Sequence, residues 1–113
     1  HEVGDIILQE IAKILLNSLS RDKGDCAVRF GGDEFVLLFG NRTREQMKDI
    51  LFHILASVRQ LDVPQMNGMQ ISVSIGGVHP DEMEEEANYK NMLRAADEKL
   101  YRAKESGRNR CIL

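Results

Sequence analysis

Apolar residues at Val3, Ile6, Ile7, Ile11, Ile14 and Leu15 recur at the three- and four-residue spacing of one helix face, which predicts a helix over residues 3–19. A polar break containing Gly24 follows. Residues 26–30 and 35–39 are short apolar runs on either side of Gly31-Gly32, the pattern of a β-hairpin. The second run is apolar at every position from Phe35 to Phe39, so a strand covered on both faces is expected. Helical spacing returns over 43–61, with Met47, Ile50, Leu51, Ile54, Leu55 and Val58 inward and Thr43 placed to cap the N-terminus. From Gln70 to Gly76 the chain alternates, with Ile71, Val73 and Ile75 on one side and Ser72 and Ser74 on the other, as in a half-buried strand. The acidic run from Asp81 to Glu86 reads as a solvated loop. A third helix is predicted over 88–105, with Tyr89, Met92, Leu93, Ala96, Leu100 and Ala103 inward and Gly107 ending it. Residues 110–113 suit a last short strand. The order α, β, β, α, β, α, β implies an α+β fold: a mixed sheet containing antiparallel pairs, with helices on one side. No strand precedes the first helix in this chain, so the leading strand that would complete a split βαβ arrangement is expected upstream of His1.

The length of 113 residues suits a single domain over 1–113 with a real hydrophobic core. A formal charge of -3 and a pI near 5.6 argue against a general nucleic-acid binder. They leave room for a small anionic ligand on a local basic patch. Cys26 and Cys111 lack metal or redox spacing and are read as buried thiols in a reducing compartment. No apolar run is long enough to cross a bilayer. A cytoplasmic location is expected, and a membrane anchor, if the parent protein has one, lies outside this chain.

The chemistry concentrates in Arg29-Phe30-Gly31-Gly32-Asp33-Glu34-Phe35. Glycines allow a tight bend and a close approach to the backbone. Two acids beside bare backbone suit a divalent cation carrying a polyphosphate. Taken alone, such a segment is more often a plain polar turn. What shifts the balance is the apolar strand right after it, which pins the acids at the rim of a sheet. On a helix, Asp97, Tyr101, Lys104 and Arg108 fall on one narrow stripe, so two cations share a direction at the helix end. Asp5 by itself is unremarkable, because an early helical acid is favoured by the dipole. His1, His53 and His79 have no paired zinc spacing and are read as structural or exposed.

Together these segments resemble the GGDEF family of diguanylate cyclases. Gly31-Gly32-Asp33-Glu34-Phe35 is similar to its signature, and His1-Glu2-Val3-Gly4-Asp5 to the end of an earlier family stretch. Ser72-Val73-Ser74-Ile75-Gly76 resembles a later strand. Ala96-Asp97, Leu100-Tyr101, Ala103-Lys104 and Gly107-Arg108-Asn109 resemble the C-terminal helix signature. The resemblance implies a ferredoxin-like nucleotidyl cyclase palm. It implies an enzyme that condenses two GTP into cyclic di-GMP and releases pyrophosphate, as a homodimer with two-metal catalysis by Mg²⁺ (or Mn²⁺). It assigns Asp33 and Glu34 to catalysis and metal binding, and Gly31 and Gly32 to the turn on which GTP lies. It assigns Asp5 to the guanine edge, and Lys104 and Arg108 to the terminal phosphates. Control by a sensor or receiver domain outside this chain is also implied, with no role for nucleic acid.

Two departures from the family pattern stand out. The leading strand, which carries a metal-binding Asp and phosphate-holding backbone in the family, is absent together with the Asn that follows it; weak GTP binding and no turnover are expected of the chain starting at His1. The product-inhibition pattern Arg-x-x-Asp is also altered: Asp25 stands at its acid, Asp22 at its Arg, and Arg21 lies one residue away. Two acids there would repel a dinucleotide, so no tight inhibitory site is expected. The alternative to the enzyme is a non-catalytic GTP-binding regulatory module. The intact Asp33-Glu34 pair favours the enzyme.

Overall fold

The computed structural model describes residues 2–113, so the expectations placed on His1 lie outside the described residues. Its elements follow the predicted order: α1 (Glu2–Asn17), β1 (Cys26–Arg29), β2 (Phe35–Leu38), α2 (Arg44–Arg59), β3 (Ser74–Gly76), α3 (Tyr89–Glu105) and β4 (Arg110–Ile112). Single 3₁₀ turns at Arg21–Lys23, Pro64–Met66 and Pro80–Glu82 fill the connections. The helix starts obey local chemistry. Thr43 accepts from the Gln46 amide while the Gln46 side chain accepts from the Thr43 N–H, a reciprocal cap on α2. Asn88 caps α3 through the Asn91 amide.

β1 and β2 pair antiparallel, with Cys26 opposite Leu38 and Arg29 opposite Phe35. β3 and β4 pair parallel, with Ile75 opposite Cys111. The core lies beneath both ladders. Ile11 and Leu15 of α1 meet Met47, Leu51, Ile54 and Val58 of α2, closed by Val63 and Ile71, with Phe35, Leu37, Phe39, Val73 and Ile75 packed against them. The alternation predicted for 70–76 therefore holds, although ladder bonding covers only its last three residues.

Helices flank both faces, not the one face expected. Ile75 turns toward α1 and α2, and its neighbour Gly76 turns toward α3. A Cβ on Gly76 would fall 2.3 Å from the Ala96 carbonyl oxygen and 2.3 Å from the Leu100 nitrogen, so α3 rests directly on the β3 backbone. The hairpin differs in the other direction. Phe35, Leu37 and Phe39 face the core, while Val28, Phe30 and Leu38 stand 46%, 53% and 41% exposed on the opposite face. The expected cover on both sides of β2 is thus missing, because α3 lies over β3 and β4 and reaches the hairpin at its turn. Cys26 shares that outer face and is exposed, contrary to the buried thiol expected, whereas Cys111 is half-buried. Tyr89, expected inward, is 52% exposed at the first turn of α3.

The hairpin is fastened at its root. The Asp25 carboxylate accepts from the Ser20 amide at 2.7 Å, the Gly40 amide at 2.8 Å and the Arg42 guanidinium at 2.8 Å. Its side chain has no accessible surface and that of Arg42 is 10% exposed, although only a thin layer of the molecule covers them. Burial pushes the Asp25 carboxyl up, but the Gly40 and Ser20 amides and Arg42 outweigh it and hold the group below its ordinary value. This single contact joins the exit of α1, the start of β1 and the exit of β2. The acidic loop is likewise more structured than expected at one position. Glu82 binds Arg44 at 3.2 Å, approaches Lys99 at 3.8 Å and accepts from the His79 amide. Buried His79 accepts from the Asp81 amide at Nδ1 and donates from Nε2 to the Arg42 carbonyl, a structural role.

Candidate active site

The sequence-predicted residues meet around the turn between β1 and β2. Phe30 donates to the Glu34 carbonyl at 2.7 Å and Glu34 donates back to Gly31 at 3.4 Å, closing a tight loop. Gly31 occupies the left-handed region at φ 92°, which a side chain would strain. A Cβ built on Gly31 or Gly32 would meet nothing within 4 Å, so space stands open over both. Among the described residues, the backbone N–H groups of Gly31, Gly32 and Asp33 have no acceptor. Consecutive unpaired amides at a bend form a place for an anion.

Two different environments flank this turn. On the α1 side a cleft of about 330 Å³ is lined by Asp5, Leu8, Gln9, Ala12, Arg29 and Phe35. That volume lies at the lower end of small-molecule sites, ~300–1,000 Å³. Asp5 reaches it because residues 5, 8, 9 and 12 share one face of α1. On the α3 side, Lys104 Nζ stands 3.6 Å from Glu34 Oε1, with both side chains partly exposed. The Gly76 seat of α3 fixes this approach. The turn of Gly31, Gly32, Asp33 and Glu34 therefore has Asp5, in the cleft with Arg29 and Phe35, on one side and Lys104 on the other.

Arg108 is placed differently from expectation. α3 ends at Glu105, and Gly107, Arg108 and Asn109 follow at φ 120°, 62° and 49°. A chain of left-handed residues does not continue a helical stripe, so Arg108 is presented by the C-terminal turn rather than in line with Lys104. The turn is held by the Arg108 amide donating to the Ala103 carbonyl at 2.9 Å. Asp25 also departs from its reading as a free acid: its charge is matched by Arg42 and covered, and the exposed acid of that loop is Asp22.

Leu8, Gln9 and Ala12 entered the site without being singled out from the sequence, and Arg29 stood in the singled-out segment without a role of its own. The spacing of Leu8, Gln9 and Ala12 from Asp5 was the available signal. A second groove of about 350 Å³ opens between α1 and α2, lined by Ile14, Asn17, Ser18, Asp49, Ile50, His53 and Ser57. Its lining includes no lysine, arginine or glycine.

Comparison with known proteins decides the family. The family model "Diguanylate cyclase, GGDEF domain" matches residues 1–110. The chain belongs to the GGDEF family. This GGDEF chain is 35% identical over 114 residues to "Diguanylate cyclase A" of Treponema denticola, covering 100% of the chain and 30% of that protein. It is 35% identical over 108 residues to the "Probable diguanylate cyclase DgcI" of Escherichia coli, covering 96% of the chain and 22% of that protein. It thus spans between a fifth and a third of these relatives. Among solved structures, the GGDEF domain of DgcB from Caulobacter crescentus, in complex with c-di-GMP, superposes with a TM-score of 0.79 at 26% identity over 98% of this chain and 64% of that one. A longer form of the same protein, with its coiled coil, superposes at 0.81 and 24% identity, which shows the shared fold. The palm expected from the sequence is the fold observed. Among the described residues no helix is long and apolar enough to cross a membrane.

Proposed function

We propose that this chain is the catalytic domain of a diguanylate cyclase, which condenses two GTP into cyclic di-GMP and two pyrophosphates as a homodimer. The observation that supports this best is the polarity of the rim. An acid stands in the cleft on one side of the bare-amide turn, and an acid–cation pair stands on the other. A nucleoside triphosphate has matching ends. Asp5 can accept N1–H and N2–H of guanine, a pair of donors that adenine lacks. The phosphates then cross Gly31 and Gly32 toward Lys104, and Arg108 adds charge near the terminal phosphates. Among the described residues one cleft lies beside the glycine turn, and the product has two identical halves, so the proposed reaction takes two chains facing each other.

Asp33 and Glu34 fit a magnesium or manganese ion. Both are exposed acids on a turn, and Mg²⁺ is usually held by one or two carboxylates plus substrate phosphates. The ion, when bound, supplies charge neutralisation and a more acidic ribose hydroxyl. In each half-reaction the 3′-oxygen of one GTP bonds to the α-phosphorus of the other. The bond to pyrophosphate breaks, and the hydroxyl proton leaves to Asp33 or water. Lys104 stabilises the charge gathering on the departing pyrophosphate.

The test is incubation of the full-length protein with GTP and Mg²⁺, followed by mass analysis. Cyclic di-GMP and pyrophosphate are expected from the wild type, and neither from Asp33→Ala. Because Asp33 is exposed at the turn, the variant should keep its melting temperature. GTP bound without turnover by the full-length protein would instead support a regulatory module.

A further inference from the structure

The Arg29 side chain does something the proposed reaction has not yet used. It donates to the Gly32 carbonyl through Nε at 3.0 Å and through Nη2 as well, from the strand position opposite Phe35 and on the cleft side of the hairpin. Two donors from one planar guanidinium hold that carbonyl in a fixed direction. The Gly32–Asp33 peptide is trans and planar, so its N–H points opposite to its C=O. With the carbonyl turned to Arg29, the Asp33 amide is turned away from it, toward the open side of the turn. That amide has no acceptor among the described residues. A flip of this peptide rotates ψ of Gly32, which has no Cβ to resist it, and φ of Asp33, a residue type that tolerates the left-handed region better than most. Without the clamp, the same peptide could present its carbonyl oxygen to the open side, where it would repel a phosphate.

We infer that Arg29 is a positioning residue for nucleotide binding: it locks the Gly32–Asp33 peptide so that the Asp33 N–H, and not the Gly32 carbonyl, faces the phosphates. The inference rests on the nucleotide reading of the site. It assigns Arg29 to the turn rather than to the purine, although Arg29 also lines the cleft that holds Asp5. Its side chain lies on the surface, so its loss should leave the fold intact.

The experiment uses the full-length protein, with Arg29→Met and Arg29→Lys beside the wild type. Hydrogen exchange read by mass spectrometry follows the peptide spanning residues 30–35. Calorimetry with Mg²⁺ follows two probes, guanosine 5′-[α,β-methylene]triphosphate and inorganic pyrophosphate. Arg29→Met should speed exchange of the Glu34 amide, which bonds the Gly31 carbonyl across the turn; the Gly31, Gly32 and Asp33 amides have no acceptor among the described residues to lose. It should also weaken both probes by about tenfold, the loss of one hydrogen bond to a charged group. Arg29→Lys retains one donor and should lose less on each readout. Melting temperatures should coincide. Wild-type affinity or unchanged exchange in Arg29→Met overturns the inference. So does a loss confined to the triphosphate analogue, which would mean contact with the nucleoside. A wild-type protein that binds neither probe removes the nucleotide reading itself, and exchange at the turn then decides the clamp alone.

Discussion

Replacing Asp25 with Ala tests whether the β1–β2 hairpin is held at its root by one charge pair. The carboxylate takes hydrogen bonds from two amides and from Arg42, and no water reaches it. An exposed ion pair contributes at most about 1 kcal/mol, and breaking a deeply buried one costs about 3–5 kcal/mol. This pair is covered but shallow, so the lower end of the second range applies, about 3 kcal/mol. Arg42 keeps some compensation, since it also donates to the Gly40 carbonyl and lies 5.6 Å over the Phe39 ring. For a chain of 113 residues the unfolding entropy is about 0.24 kcal/mol/K, so the loss corresponds to about 12 °C in Tm. Urea and thermal unfolding by circular dichroism at pH 7 read this directly. The pH dependence has a definite sign. The folded pKa of Asp25 lies below its ordinary 3.8, so its contribution is complete above that value and fades as pH falls through the lower, folded one. Wild type and variant should therefore converge in stability in strong acid. Asp25→Asn should rescue little, because its NH₂ group would face the same donors. A loss under about 1 kcal/mol, or a gap that persists in strong acid, refutes the argument.

Gly32→Ala should fold as well as the wild type, since its Cβ meets nothing within 4 Å, yet lose Mg²⁺·GTP affinity on the proposed reading, in which the phosphates cross that open space; calorimetry beside a thermal melt separates the two effects. Iodoacetamide at pH 8 should modify exposed Cys26 and spare Cys111, whose thiol burial pushes up to about 11; peptide mapping showing equal rates would contradict this. Cyclic di-GMP should not bind tightly at the loop before β1, where Asp25 is already committed to Arg42. Submicromolar binding that survives loss of Asp25 and Arg21 would show that the ligand uses neither residue of that loop.

Much of the architecture was legible because it is local. The three helices and the hairpin follow from spacing, the α2 cap from Thr43 and the end of α3 from Gly107, each acting within a few residues. Layering was not legible. Period-two alternation says that Ile75 and Gly76 face opposite ways, but not that a helix waits on the Gly76 side. The run Phe35–Phe39 likewise does not say which face stays bare, and so Cys26 was misplaced. Asp25 and Arg42 lie 17 residues apart, and only the fold makes them partners. Within the site, the glycines and acids were visible as residue types. The direction of Arg108 depended on where α3 stops, and Gly107 marked that end without revealing the left-handed residues after it.

The contact of α3 with Gly76 has a consequence for how this domain can vary. The spacing between Glu34 and Lys104 is gauged by a residue with no side chain, Gly76 of β3, on which α3 rests. Drift in the amino acids around Lys104 can be absorbed by its long, flexible stem. Any atom added beneath the helix would act as a shim, tilting the whole rod and widening the jaw at its far end.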